Sequence, residues 1–265
     1  MARDQSPLNV TFLGTGTSHG VPVIGCDCAV CSSTDPRNSR YRSSVWLEVA
    51  GRSLLIDTAT ELRLQARRAD LRRVDAVLFT HAHADHVGGL DDVRRFNDLQ
   101  RSSIPCFANA EAVAALRRQY CYAFEAGQVG GGRPRLDLRV VEPGVPFDAA
   151  GIQVQPIGVR HGSLPILGYR VADFAYLTDV SEIPNAALAQ LRSLDLLVLG
   201  ALRGRLHPTH LSIDQALAVV DAVRPARALF THICHDLDHT PTCGALPAGV
   251  ALAYDGLRVE IRNRP

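Results

Sequence analysis

The chain of 265 residues contains no lysine, and all 28 of its basic side chains are arginine. Codon bias in the source genome accounts for the absence, but the chemical consequence stands: neither a Schiff-base lysine nor a P-loop lysine is available. Long apolar runs are missing as well. No stretch approaches the ~18–20 residues needed to span a bilayer, and residues 1–7 lack the apolar core of a signal peptide. A cytoplasmic protein without a membrane partner is therefore expected. Nor is there an excess of charge of either sign. A formal net charge of +1, from 28 basic and 27 acidic residues, argues against a broad electrostatic footprint for extended nucleic acid. A local arginine cluster could still hold a small phosphorylated substrate.

What is present suits a globular chain with a full core: 46% hydrophobic and 21% charged residues. Short β-like runs alternate with helical stretches from end to end. Strands are expected at residues 10–13, 45–49, 54–56, 76–79, 105–108, 152–155, 168–171, 194–199 and 226–230. Apolar residues recur at helical spacing over 61–68, 91–99, 111–120, 185–191 and 213–223, with Pro184 and Asp214 placed as helix starts prefer. The polar stretch 128–135 reads as a surface loop. No composition shift or repeat divides the chain, so one mixed α/β domain over residues 1–265 is expected, with its ionisable residues at strand ends.

There are 10 histidines, and most follow expected strands. His81, His83, Asp85 and His86 stand together after the apolar run 76–80. Ending a buried strand in three imidazoles and a carboxylate is costly unless a cation compensates. Residues two apart in an extended segment point the same way, so His81 and His83 can grip one metal. Asp85 and His86 then turn into a helix and can face a second, and Gly88-Gly89 permits the close turn that follows. Three further strand ends carry metal-competent residues: His161, Asp179 and His232. Imidazole and carboxylate together suit zinc or manganese.

Seven cysteines is an odd number, and Cys26, Cys28 and Cys31 crowd into one short loop. In a chain without an export signal this pattern favours metal ligation over disulfides. A closed tetrahedral zinc site needs a fourth ligand. His235, three residues beyond His232, is the better candidate and Cys234 the weaker one; Cys106, Cys121 and Cys243 carry no such signal.

The run His-x-His-x-Asp-His at 81–86 resembles the signature of the metallo-β-lactamase superfamily. The resemblance covers nearly the whole chain, from the strand before Gly14 to His232. It implies an α/β fold, the αββα sandwich of the metallo-β-lactamase type, with two catalytic divalent metals, manganese or zinc, at one edge. His81, His83 and His161 would hold one, Asp85, His86 and His232 the other, and Asp179 would bridge them. The cysteine loop at 26–31, after the run Phe12 to Gly20, looks like the PhnP group of the carbon–phosphorus lyase pathway of phosphonate metabolism, as do Arg42-Ser43-Ser44, residues 86–92 and residues 207–212. In that group a His at the position of His235 completes a structural zinc site, and a His at the position of His210 lies at the active site.

The expected function is thus a phosphodiesterase acting on a small phosphorylated sugar such as 5-phosphoribosyl 1,2-cyclic phosphate. Asp85 and His210 are the expected catalytic residues, and His210 is a natural general acid for a sugar-alkoxide leaving group. His207 and His239 are less securely placed. Arg94 and Arg203 could meet phosphate oxygens as forked donors. A PqqB-like protein of quinone cofactor biosynthesis shares the cysteine loop but departs from the ligand set that this chain keeps. A tRNA 3′-processing nuclease would want a basic exosite that the chain does not offer. An intact seven-ligand set argues against a scaffold without turnover. Either a monomer or a homodimer is compatible with these features. One departure from the PhnP pattern stands out: residues 57–61, Asp-Thr-Ala-Thr-Glu, replace a small or proline-containing turn and would alter the substrate pocket.

Overall fold

The computed structural model describes residues 7–125 and 132–261. The loop expected at 128–135 therefore lies partly outside the described residues, and 132–135 carry no regular structure. Fourteen strands form two sheets of seven among the described residues. The first holds β1 (Leu8–Gly14), β2 (Ser44–Val49), β3 (Arg52–Ile56), β4 (Ala76–Leu78), β5 (Ile104–Ala108), β6 (Leu136–Val140) and β14 (Arg258–Ile261), in the order β14-β1-β2-β3-β4-β5-β6. The second holds β7 (Phe147–Ala149), β8 (Ile152–His161), β9 (Leu164–Val171), β10 (Phe174–Leu177), β11 (Leu196–Gly200), β12 (Arg227–Thr231) and β13 (Val250–Leu252), in the order β13-β12-β11-β10-β9-β8-β7.

The helices lie outside. They are α1 (Leu62–Ala69), α2 (Ala84–Val87), α3 (Arg94–Gln100), α4 (Ala110–Gln119), α5 (Cys121–Phe124), α6 (Asn185–Ala189), α7 (Ile213–Val223) and α8 (His239–Ala245). The alternation of side chains along each strand explains the layering. Leu54, Ile56, Ala76 and Leu78 point between the sheets, where they meet Tyr169, Phe174, Tyr176 and Val198. Leu55, Val77 and Phe79 point the other way, against Leu62, Val87, Val93 and Leu116 of the helical layer. Ala175, Leu177, Leu197 and Leu199 do the same on the second sheet, against Ala187, Ala216 and Val223. The result is the expected α-β-β-α order.

The helix expected at 91–99 begins as a 3-10 turn over Leu90–Val93 before α3. Ser212 caps α7 through a reciprocal capping box with Gln215, and Asp214 lies in its first turn as expected. Among the described residues no helix is long and apolar enough to cross a membrane.

Strands β3, β4 and β5 run parallel, as do β10, β11, β12 and β13. Parallel strands of open α/β sheets gather ligands outside their carboxyl ends. Here those ends carry Asp57 after β3, Thr80 and His81 after β4, Asp179 after β10 and His232 after β12.

Candidate metal centre

Beyond β4 the chain bends at Thr80, and His83, extended with φ −68° and ψ 149°, stands at the N-cap of α2. His81 Nε2 and His83 Nδ1 are 3.0 Å apart. His161, the last residue of β8, brings its ring to within 5.6 Å of His81 and 5.2 Å of His83. One donor atom from each of these three residues falls within 4.8 Å of the others. A second group, Asp85, His86, Asp179 and His232, meets the same limit. Asp179 faces both. Its Oδ1 lies 3.1 Å from His86 Nε2 and 3.0 Å from His232 Nδ1, while Oδ2 lies 4.0 Å from both His81 Nε2 and His161 Nε2.

Two of these side chains, and Asp57 behind them, are aimed by unusual backbone. Asp57 (φ 61°), Asp179 (φ 55°) and His232 (φ 59°) all adopt the left-handed conformation just beyond a strand. This costs a non-glycine residue about 1–2 kcal/mol, though Asp and His tolerate it better than most. Strain of this kind concentrates where a site requires a fixed direction. By contrast, Gly88 and Gly89 have negative φ in an αR cap and its flank, so the turn itself does not require glycine. Close approach does: a Cβ on Gly89 would stand 2.3 Å from the Ala59 carbonyl oxygen.

Asp57 was singled out in the sequence only as part of an unexpected turn. In the structure it is fully buried and organises the cluster from behind. Its carboxylate accepts from His86 Nδ1 at 2.7 Å, from Thr80 N at 2.8 Å and from Thr80 Oγ1 at 2.8 Å. Thr80 Oγ1 also lies 3.0 Å from His81 Nδ1. Both imidazoles are thereby held by Nδ1, with Nε2 turned inward, as metal-binding histidines require. His161 is fixed likewise, through Nδ1 to the Thr209 carbonyl at 2.8 Å. The available signal was a carboxylate ending an apolar strand, the same signal that marked Asp179. Asp57→Asn is expected to lower metal affinity roughly 10–100-fold with the fold retained. Chelator competition measures the affinity and a thermal melt checks the fold; an unchanged affinity would remove Asp57 from this role.

The donor set fits divalent cations. His86 Nε2 is buried and has no hydrogen-bond partner, although two carboxylate oxygens lie within 3.3 Å. Groups that converge without bonding one another are arranged for something between them. Burial holds His81, His83 and His232 below their ordinary pKa, leaving neutral imidazoles with free lone pairs. Burial would depress His86 too, but Asp179, Asp57 and Asp85 reverse that and hold it well above its ordinary value. In the protein alone, a proton on His86 is what offsets three neighbouring carboxyls; bound cations would take over that task.

A cysteine-bearing metal-competent group lies apart from these. The sulfurs of Cys26, Cys28 and Cys31 stand 3.2, 3.5 and 3.5 Å from His235 Nδ1, and the four form one group. Cys234 does not join them; its sulfur accepts from Asp236 N and its carbonyl accepts from Arg40. Arg40 is a buried guanidinium that also donates to the Leu237 carbonyl and Asn38 Oδ1, so it pins the segment carrying His235.

His210 lies between β11 and α7, with its ring 4.6 Å from His161, 4.9 Å from His232 and 5.0 Å from His207. Burial, with help from His232, pushes it down to about 3. His210, His207, Arg203, Arg205, Thr17 and His235 line a cleft of about 310 Å³, so it reaches from His210 to the cysteine-bearing group. Arg203 thus stands where a phosphate could reach it. Arg94 does not line this cleft. It pairs with Asp91 at 3.3 Å and lines a groove between α1 and α3, so the expectation for Arg94 as a phosphate donor is corrected. His239 opens α8, buried against Tyr254 and outside the metal-competent groups of the described residues.

A β-lactamase superfamily domain matches residues 52–233. An octanoyltransferase of Porphyromonas gingivalis is 37% identical over 256 residues, 96% of this chain but 51% of that protein. The chain thus spans about half the length of the curated relatives it matches. A crystal structure of a diphosphatase from the PhnP family superposes with a TM-score of 0.90 at 42% identity, covering 96% of this chain and 97% of that one. Zinc-bound PqqB from Methylobacterium extorquens shares the fold, with a TM-score of 0.79 at 19% identity over 95% of this chain and 99% of its own.

Proposed function

The chain belongs to the β-lactamase superfamily and is PhnP-like, and from that premise we propose that it is a metal-dependent hydrolase of phosphoric diesters, with a small cyclic phosphate such as 5-phosphoribosyl 1,2-cyclic phosphate as substrate. The observation that carries the reading is Asp179, whose two oxygens face two separate sets of donors. His81, His83 and His161 would hold one zinc or manganese ion, and Asp85, His86 and His232 the other, with Asp179 common to both. When bound, such a pair supplies an activated water near neutral pH and neutralises charge on phosphoryl oxygens.

The chain's own groups do the rest. Asp57 and Thr80 fix His86 and His81, and the Thr209 carbonyl fixes His161, so the cluster keeps its shape without substrate. Arg203 offers guanidinium donors to a phosphate oxygen entering the cleft. His210 is neutral in the free site; a phosphate drawn beside it would raise its proton affinity, making it the donor to the leaving oxygen. Cys26, Cys28, Cys31 and His235 would hold a structural zinc that ties residues 26–31 to the segment after His232. A second reading, hydrolysis of a linear diphosphate, is favoured by the PhnP-family diphosphatase, which matches nearly end to end.

Metal analysis and turnover test this together. About three metals per chain are expected, two in the catalytic cluster and one in the cysteine site. The metal-loaded protein should cleave an aryl phosphodiester and ribose 1,2-cyclic 5-phosphate, and Asp85→Ala should abolish both activities. One metal per chain, or no phosphodiester cleavage, would overturn the proposal.

A further inference from the structure

Four imidazoles face Asp179, and one of them is turned the other way round. His81, His86 and His161 each present Nε2 to the carboxylate, while Thr80 Oγ1, Asp57 and the Thr209 carbonyl hold Nδ1 from behind. In His232 the nitrogens are exchanged. Its Nδ1 stands 3.0 Å from Asp179 Oδ1, and its Nε2 points away, to Thr17 Oγ1 at 3.1 Å.

The surroundings of the ring say where its proton belongs. His232 is buried, and burial keeps the imidazole neutral, so it carries one proton and one free lone pair. Ser43 Oγ lies 3.4 Å from Nδ1, but its hydroxyl donates to the Gly16 carbonyl at 3.0 Å. It therefore leaves the Nδ1 lone pair unspent. With Nδ1 facing the other donors of the cluster, the proton falls to Nε2, where the Thr17 hydroxyl oxygen can accept it.

Thr17 has little freedom to stand elsewhere. Its N–H donates to the Ile233 carbonyl at 3.2 Å, and its own carbonyl accepts from Gly20 N at 2.8 Å. The preceding Gly16 donates to the Tyr41 carbonyl at 2.7 Å, and a Cβ there would stand 2.8 Å from the Arg40 carbonyl oxygen. The segment is thus seated between the chain after His232 and the chain at 40–41, which fixes the distance from Thr17 to the ring.

Resting on the metal-dependent reading above, we infer that Thr17 is the positioning residue that decides which nitrogen His232 offers to a metal: Nε2 keeps its proton and donates to Thr17 Oγ1, and Nδ1 is the ligand atom. Without that acceptor the buried Nε2–H is left unpaired, and the ring loses what holds it in this orientation.

NMR of the protein labelled with ¹⁵N-histidine and loaded with ¹¹³Cd²⁺ reads the ligand atom directly. Coupling to cadmium should appear on Nδ1 of His232, against Nε2 of His81, His86 and His161. Thr17→Val, close to threonine in shape, should lower cadmium affinity in chelator competition roughly 10–100-fold, with the melting temperature of the metal-free protein unchanged. Thr17→Ser, which restores the hydroxyl, should recover most of that loss. Coupling on Nε2 of His232 in the native protein, an unchanged affinity in Thr17→Val, or an equal loss in Thr17→Ser would each overturn the inference. The hydrolase reading fails separately, if the aryl phosphodiester is not cleaved.

Discussion

His210→Ala should slow hydrolysis of diesters with alkoxide leaving groups by roughly 10²–10⁴-fold, the usual contribution of a positioned general acid. Nitrophenyl esters should lose far less, because nitrophenolate departs without a proton. The contrast follows from where His210 sits. Its ring lies between those of His161 and His207 and stacks on His232, so it borders the cluster without completing either donor set in the reading above. Its depressed proton affinity keeps it neutral in the free site, and a phosphate beside it is what restores the proton. The pH profile carries the sign: the affected rate should fall as pH rises through the pKa His210 acquires with substrate bound, and that limb should vanish in the variant. The measurement is kcat on a cyclic ribosyl phosphate and on an aryl diester, with metal content held equal. Equal losses on both substrates would make His210 a positioning residue, since misplacement of the cluster does not depend on the leaving group.

Much of this site was legible because its chemistry is written at the ends of central strands. The strands β3, β4, β10 and β11 are buried on both faces, so they appear in sequence as continuous apolar runs, and an ionisable residue ending such a run has to be explained. His81, Asp179 and His232 were found in that way. The strands that were missed tell the same story in reverse. β6 and β14 border the first sheet, β7 and β13 the second, and sequences such as Leu-Asp-Leu-Arg-Val lack an apolar signal because one side faces solvent. α2, at four residues, was signalled only by the turn at Asp85 and His86, and α5 and α8, of four and seven residues, left no readable helical periodicity.

Asp57 shows a different limit. Its position after an apolar strand was visible, but its part in orienting His86 depends on residues 29 positions apart meeting across neighbouring strands. No local pattern encodes that meeting. The left-handed backbone at Asp57, Asp179 and His232 is equally silent in the sequence, because Asp and His are common in loops of every conformation. Arg94 fails for a plainer reason: a guanidinium suits phosphate and a neighbouring Asp alike, and Asp91 is nearer.

The cysteine site should matter most to stability. His235→Ala leaves three sulfurs without the imidazole that stands within 3.5 Å of each, and the variant should contain one metal fewer per chain. Structural zinc sites contribute folding free energy directly, about 10–16 kcal/mol of binding in small zinc-dependent peptides. Here a large core shares the task, so a small part of that sum should be at stake. Even a few kcal/mol corresponds to a fall of roughly 10 °C in melting temperature, at about 2–4 °C per kcal/mol for a chain near this size. Activity should fall too, and by a specific route. The residues after His232 hold the Gly16–Thr17 segment through Thr17 N to the Ile233 carbonyl and Ile233 N to the Thr15 carbonyl, and Thr17 Oγ1 stands 3.1 Å from His232 Nε2. Residues 26–31, once released, would loosen the cleft wall at Val23 before they loosened His81, which follows β4, or His161, which ends β8. KM should therefore rise more than kcat falls. Calorimetry, elemental analysis and steady-state kinetics on the one variant decide the matter. A full metal complement with an unchanged melting temperature would show that His235 is not a ligand of a structural zinc.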